Sequence, residues 1–126
     1  MGVIYAFVCG LLLQLTVSTD IPYTTIENAI ATGDAAKIVS YGADKIYLKV
    51  PEKEGVFAKS QATQILKDFF TKKPAATFKF SFKGATTDGA NAIGTYTSKG
   101  ESYRVTVKWN KNGSEYEIEN ISIVKS

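Results

Sequence analysis

Residues 75–126 constrain this chain more than any other stretch. In Thr77-Phe78-Lys79-Phe80-Ser81-Phe82-Lys83 every second side chain is a phenylalanine and those between are polar, the period of a strand with one buried face. The alternation returns in Tyr103-Arg104-Val105-Thr106-Val107-Lys108-Trp109, where Tyr103, Val105, Val107 and Trp109 face one way and Arg104, Thr106 and Lys108 the other. Asn112-Gly113 supplies the residues that a type I′ hairpin turn needs. Counting outward from that turn pairs Trp109 with Tyr116, Lys108 with Glu117, Val107 with Ile118 and Thr106 with Glu119. Taking Lys99-Gly100 as the preceding turn pairs Tyr96 with Tyr103 and sets Gly94 opposite Val105, so the aromatic residues of both hairpins share one face.

That parity turns over once. Tyr116 and Ile118 are followed by Ile121 and Ile123 instead of apolar residues at even positions, which predicts a β-bulge near Glu119-Asn120. A bulge bends its strand, so the sheet is expected to have a hollow side.

The preceding half reads as helix, helix, strand, helix. Thr24-Thr25-Ile26-Glu27 fits a capping box, with Ile26, Ala29 and Ile30 on one side of the helix that follows and Gly33 at its end. Asp34 caps a second short helix through Ile38 and Val39. Lys45 to Val50 alternates like an edge strand, and Glu52-Lys53-Glu54-Gly55 beyond Pro51 reads as a charged loop. From Ser60 as N-cap, Ala62, Ile65, Leu66, Phe69 and Phe70 fall at helical spacing as far as Lys72-Lys73-Pro74. The expected fold is α+β: a strongly bent antiparallel sheet, made of a four-strand C-terminal meander and one N-terminal edge strand, wrapped around the Ser60 helix with two shorter helices before it.

With 126 residues the chain can form one domain with a modest core and no staples. Its 15 basic and 12 acidic residues are interleaved, which argues against a nucleic-acid partner. Residues 1–18 are uncharged and carry an apolar run of signal-peptide length, with Thr16 and Ser18 placed before a cleavage site. The positive start of the usual signal is missing, and a retained anchor or a buried helix is the alternative. The expectation is export to the periplasm or beyond, residues 19–126 forming the single domain, with no membrane attachment after signal removal. Cys9, the one cysteine, lies inside the apolar run and is read as part of the discarded segment.

The element order, with Ile26-Glu27-Asn28-Ala29-Ile30, Thr32-Gly33-Asp34-Ala35, Ile46-Tyr47-Leu48 and Gln64-Ile65-Leu66-Lys67-Asp68-Phe69-Phe70, resembles the nuclear transport factor 2-like (cystatin-like α+β cone) superfamily. Within it the chain is similar to a family of small secreted Bacteroidetes proteins of unknown function, over about residues 21–124. The resemblance implies a cone whose mouth holds a ligand pocket in some members and is closed or reused as an interface in others. Fold alone does not choose among these uses.

Histidine is absent, which removes the commonest general base near neutral pH and the commonest metal ligand, and no phosphate-binding glycine pattern occurs. No metal or other cofactor is expected. One reading is a non-catalytic binding module: Gly94 among Tyr96, Tyr103, Trp109 and Tyr116 would leave a ring-lined depression for a small ligand unless Phe69 or Phe70 fills it. Another puts a protein partner, or a second copy of the chain, on the opposite face through Ile93, Thr95, Arg104 and Lys108, where cross-strand ion pairs on a solvated face are the plain alternative. The runner-up is an acid-base enzyme of the ketosteroid isomerase or dehydratase kind, with Asp44 as the carboxylate and Tyr47, Tyr41, Tyr96 or Tyr103 as the hydroxyl donor. That chemistry needs a carboxylate of raised pKa inside a cavity, whereas a binder needs only shape and a few polar groups.

Overall fold

In the computed structural model, which describes residues 21–126, helices α1 (Tyr23–Thr32) and α2 (Ala35–Ser40) precede strands β1 (Gly42–Val50) and β2 (Lys53–Ala58). Helix α3 (Lys59–Lys72) then leads into a meander of β3 (Thr77–Ala85), β4 (Gly89–Ser98), β5 (Glu101–Asn112) and β6 (Glu115–Lys125). The readings of Cys9, of the apolar run and of cleavage after Ser18 lie outside the described residues. Among the described residues no helix is long and apolar enough to cross a membrane.

All six strands join one sheet in the order β2-β1-β6-β5-β4-β3. The expected α+β architecture is present, with two differences at its N-terminal side. Lys45 to Val50 is not an edge: β1 pairs antiparallel with β2 and parallel with β6. The stretch read as a charged loop is itself the edge strand, placing Lys49 beside Glu54 and Tyr47 beside Val56. Its exposed first residues, Lys53 and Glu54, put charges on an unpaired edge, while Phe57 alone of its large side chains packs against the core.

The helices cover the hollow side. Ile26, Ala29 and Ile30 of α1, Ile38 and Val39 of α2, and Ala62, Leu66, Phe69 and Phe70 of α3 are buried against Tyr96, Tyr103, Val105, Val107 and Trp109. Each large apolar side chain so buried contributes about 2 kcal/mol. Gly33 ends α1 in the left-handed conformation at φ 74°, and the Asp34 carboxylate caps α2 by accepting from the Lys37 amide at 3.1 Å. The other two caps differ from expectation. Pro22 precedes α1 and Ala58 precedes α3 without side-chain capping, so neither Thr24 nor Ser60 is an N-cap.

Glu27, expected in a capping box, instead reaches the sheet, where its carboxylate accepts the Phe80 amide at 2.8 Å. The site is a bulge: Phe80 opposes Gly94 and Phe82 opposes Ile93, leaving Ser81 as the extra residue. This reverses the parity of β3. Phe82, expected on the buried face with Phe78 and Phe80, is 54% exposed. Lys83 crosses to the helix side, its ammonium 5.5 Å from the centre of the Tyr23 ring.

The β4–β5 register is as expected, Tyr96 opposite Tyr103 and Gly94 opposite Val105. The β5–β6 register is offset by two residues: Trp109 opposes Ile118, while Tyr116 opposes Lys111. Asn112 pairs with Glu115, so Gly113 and Ser114 form the loop; only Gly113 has a positive φ, at 68°, the pattern of a type II′ turn and not type I′. An offset of two keeps side chains on their faces, which is why the aromatic face survives it. Beyond Ile118, Lys108 opposes Asn120, so Glu119 is the extra residue and the bulge falls where the parity change placed it.

Candidate functional site at the open end of the sheet

Glu101 opens β5 directly after the tight Lys99-Gly100 turn, whose two residues have φ of 47° and 82°. Across from it α3 ends at Lys72, with Lys73 as its C-cap residue. The Tyr96 hydroxyl donates to the Lys73 carbonyl, fixing the helix end over the sheet. Three donors then converge on one carboxylate. The Lys73 ammonium and the Tyr103 hydroxyl each lie 2.9 Å from Glu101 Oε1, and the Lys125 ammonium lies 3.0 Å from Oε2.

The Lys73 hydrogen bond, followed by those from Lys125 and Tyr103, holds the Glu101 carboxyl down at about 2. The same contact raises Lys73. Burial, then the neighbouring Glu101, raises the Tyr103 phenol, and burial with Tyr103 nearby pushes Tyr96 up to about 12. Glu101 therefore stays ionised near neutral pH, with two donors on Oε1 and one on Oε2. Proton abstraction asks for the opposite, a carboxylate whose pKa lies near the working pH.

Beside this cluster lies a cleft of about 350 Å³ between the β1–β2 turn and the C-terminal half of α3. Val50, Pro51, Ile65, Phe69 and Tyr103 supply apolar walls, while Lys53, Lys72, Glu52 and Asp68 bring charges to it. Phe69 is braced by Tyr103 at 5.4 Å and by Tyr96 at 5.5 Å between ring centres, so the inner wall is rigid. Lys72 is shared between Glu52 and Asp68 at 3.8 Å each, with the three side chains 60%, 83% and 67% exposed. A second hollow of about 250 Å³ at the far end of β5 is more polar, with Thr86, Asp88, Asn91, Lys108, Asn110 and Glu119 beside Trp109 in its lining.

Of the residues predicted to line a depression, only Tyr103 borders the cleft. Tyr96 and Trp109 are buried, and Phe69, Phe70 and Phe78 occupy the space around Tyr96 at 5.5, 6.0 and 6.3 Å. A Cβ on Gly94 would meet the Lys79 carbonyl oxygen of the neighbouring strand first and then the Phe78 ring at 2.9 Å, so this glycine leaves no room for a ligand. Tyr116 is half-buried under the Lys111 ammonium. Asp44 is exposed on β1, and the Tyr47 hydroxyl donates to Glu54; neither residue lines the cleft. On the outer face Thr95, Arg104 and Lys108 are exposed and Ile93 is half-buried beside Phe82. Lys73, Glu101 and Lys125 were not singled out by sequence reasoning, and the only local clue was an acidic residue directly after a Lys-Gly turn. Among the described residues no group of histidine, cysteine, aspartate or glutamate side chains could hold a metal ion.

A bent sheet wrapped over one long and two short helices defines the nuclear transport factor 2-like, cystatin-like class of α+β cones. Within that class the chain belongs to the family described as "Domain of unknown function (DUF4783)", whose model matches residues 23–124. A DUF4783 family protein from Bacteroides ovatus is 26% identical with a TM-score of 0.78, the match covering 86% of this chain and 97% of that one. A second, from Bacteroides uniformis, is 22% identical with a TM-score of 0.78, covering 85% and 98%. An uncharacterized cystatin fold protein from Novosphingobium aromaticivorans is 13% identical with a TM-score of 0.62, covering 80% and 92%, a likeness of fold. No curated protein matches the sequence.

Proposed function

We propose that this is an exported, non-catalytic binding domain that takes a small, largely apolar ligand in the cleft between the β1–β2 turn and α3. The observation that carries the reading is the cleft itself. Its size lies at the lower end of the range for ligand sites, and its braced aromatic wall meets a few charged groups at the rim. The state of Glu101 supports binding over proton transfer, since three donors already hold this carboxylate, which adjoins Tyr103 of the cleft wall.

A fragment screen followed by amide chemical shifts tests this. Apolar and aromatic fragments should move the amides of Ile65, Phe69 and Tyr103, and Ile65→Arg, at a half-buried position on the cleft wall, should abolish those shifts in a folded protein. Shifts scattered over the outer sheet face would refute the reading. Export is tested separately by the mass of the secreted chain, which should begin at Thr19 or Asp20.

A further inference from the structure

We infer that the ligand of the cleft is an amphipathic monocarboxylate, with its apolar body against Val50, Ile65 and Phe69 and its carboxylate between Lys53 and Lys72. This rests on the reading of the cleft as a ligand site. The inner wall comes first. It is built from Val50, Ile65, Phe69 and the Tyr103 ring, the Tyr103 hydroxyl is already committed to Glu101, and Gln64 is the one other neutral polar side chain of the lining, so the interior favours an apolar body.

The rim is different. Lys72 stands 3.8 Å from each of two carboxylates, beyond the 2.7–2.9 Å or so of a well-formed charge-assisted hydrogen bond. Among the described residues Lys53 makes no ion pair at all. An incoming carboxylate therefore finds one unpaired ammonium and one loosely held one. An incoming cation finds only Glu52 and Asp68, which Lys72 already neutralises in part. Among the lining residues three ammonium groups (Lys53, Lys72, Lys73) stand against two carboxylates (Glu52, Asp68), so the site keeps a positive excess.

Size sets the remaining constraint. At roughly 30 Å³ for each water-sized group, the volume of about 350 Å³ admits a body of about ten heavy atoms. A medium-chain fatty acid or an aryl-alkyl acid meets all three requirements.

The test titrates the full chain, ¹⁵N-labelled, with sodium octanoate and with 1-octanol at low salt. Both should shift the Ile65, Phe69 and Tyr103 amides, with octanoate binding about fivefold tighter, since exposed rim charges add modestly. In Lys53→Gln combined with Lys72→Gln, two exposed substitutions that leave the fold in place, that preference should fall below about twofold. Equal affinities for the two probes would overturn carboxylate recognition and leave the cleft reading standing. An octanoate preference unchanged in the double variant would overturn the assignment to these lysines. Absence of cleft shifts with either probe would overturn both readings.

Discussion

Strand β5 carries Tyr103 near one end and Trp109 six positions on, about 20 Å away at ~3.3 Å per residue, and the two ends are closed by different means. At the Trp109 end the indole is 1% exposed, opposes Ile118 and meets the Tyr23 ring edge-on at 5.4 Å, so helix α1 seals the hollow with apolar surface. At the Tyr103 end α3 stops short, and the gap is held by Lys73, Glu101 and Lys125 with a cleft alongside. The sheet is thus close-packed around the buried Trp109 side chain, with only a smaller and more polar hollow beside it, and opens into an apolar-walled cleft where α3 ends. Packing supplies stability at the first end, and solvated polar contacts leave usable space at the second.

The sharpest way to break this contrast is Trp109→Ala. Removing the largest fully buried side chain at the sealed end is expected to cost about 4 kcal/mol, within the 3–5 typical of buried aromatic truncations, read as a lowered urea midpoint. A loss below about 1 kcal/mol would mean that Trp109 does not seal that end. Next comes Glu27→Ala. Its carboxylate is the acceptor for the Phe80 amide beside the Ser81 bulge, and removing a charged acceptor from a part-buried amide should cost about 2 kcal/mol. Glu27→Gln, which keeps an acceptor, should recover about half of that loss in the same measurement.

The third test lies at the open end and has the opposite sign. Ser98 pairs with Glu101 in the β4–β5 register, is fully buried, and its hydroxyl has no hydrogen-bond partner. Replacing a buried, unpartnered hydroxyl by a methyl group removes a desolvation cost, so Ser98→Ala should stabilise the protein by about 1 kcal/mol. A destabilised variant would show that the hydroxyl is satisfied, by a water or otherwise. Being far from Trp109, the substitution should add to Trp109→Ala within about 0.5 kcal/mol.

How far these two ends are legible in the sequence depends on how local their causes are. The sealed end is written in period-two alternation, and Tyr103, Val105, Val107 and Trp109 are buried as that pattern requires. The Glu119 bulge is legible because it flips the apolar parity between Ile118 and Ile121. The Ser81 bulge is not, because Phe78, Phe80 and Phe82 keep perfect alternation across it and only the third ring is turned out to solvent. Strand β2 escaped for the converse reason: Phe57 is its one large side chain packed against the core, too little to set an apolar period. The cleft was illegible throughout. Its walls come from a strand turn and a helix end brought together by the fold, and Lys73 reaches Glu101 across 28 positions, which no spacing rule links.

The smallest stability effect expected is the acid response of the open end, and it is specific enough to isolate. Glu101 has a folded pKa of about 2, below its ordinary 4.5, so the ionised form favours the folded state. That contribution is complete above about pH 4.5 and is lost as the pH falls from there towards 2. With about a third of the Glu101 side chain and more of its lysine partners exposed, solvent screening makes the effect smaller than the three above. Urea midpoints of the parent and of Glu101→Gln should therefore differ at pH 7, draw together below about pH 4.5 and converge only below the folded pKa of about 2, while titration of the other carboxylates cancels in the comparison. A difference that stayed constant with pH would mean that Glu101 acts by packing alone, and the two ends of β5 would then be held by the same kind of force.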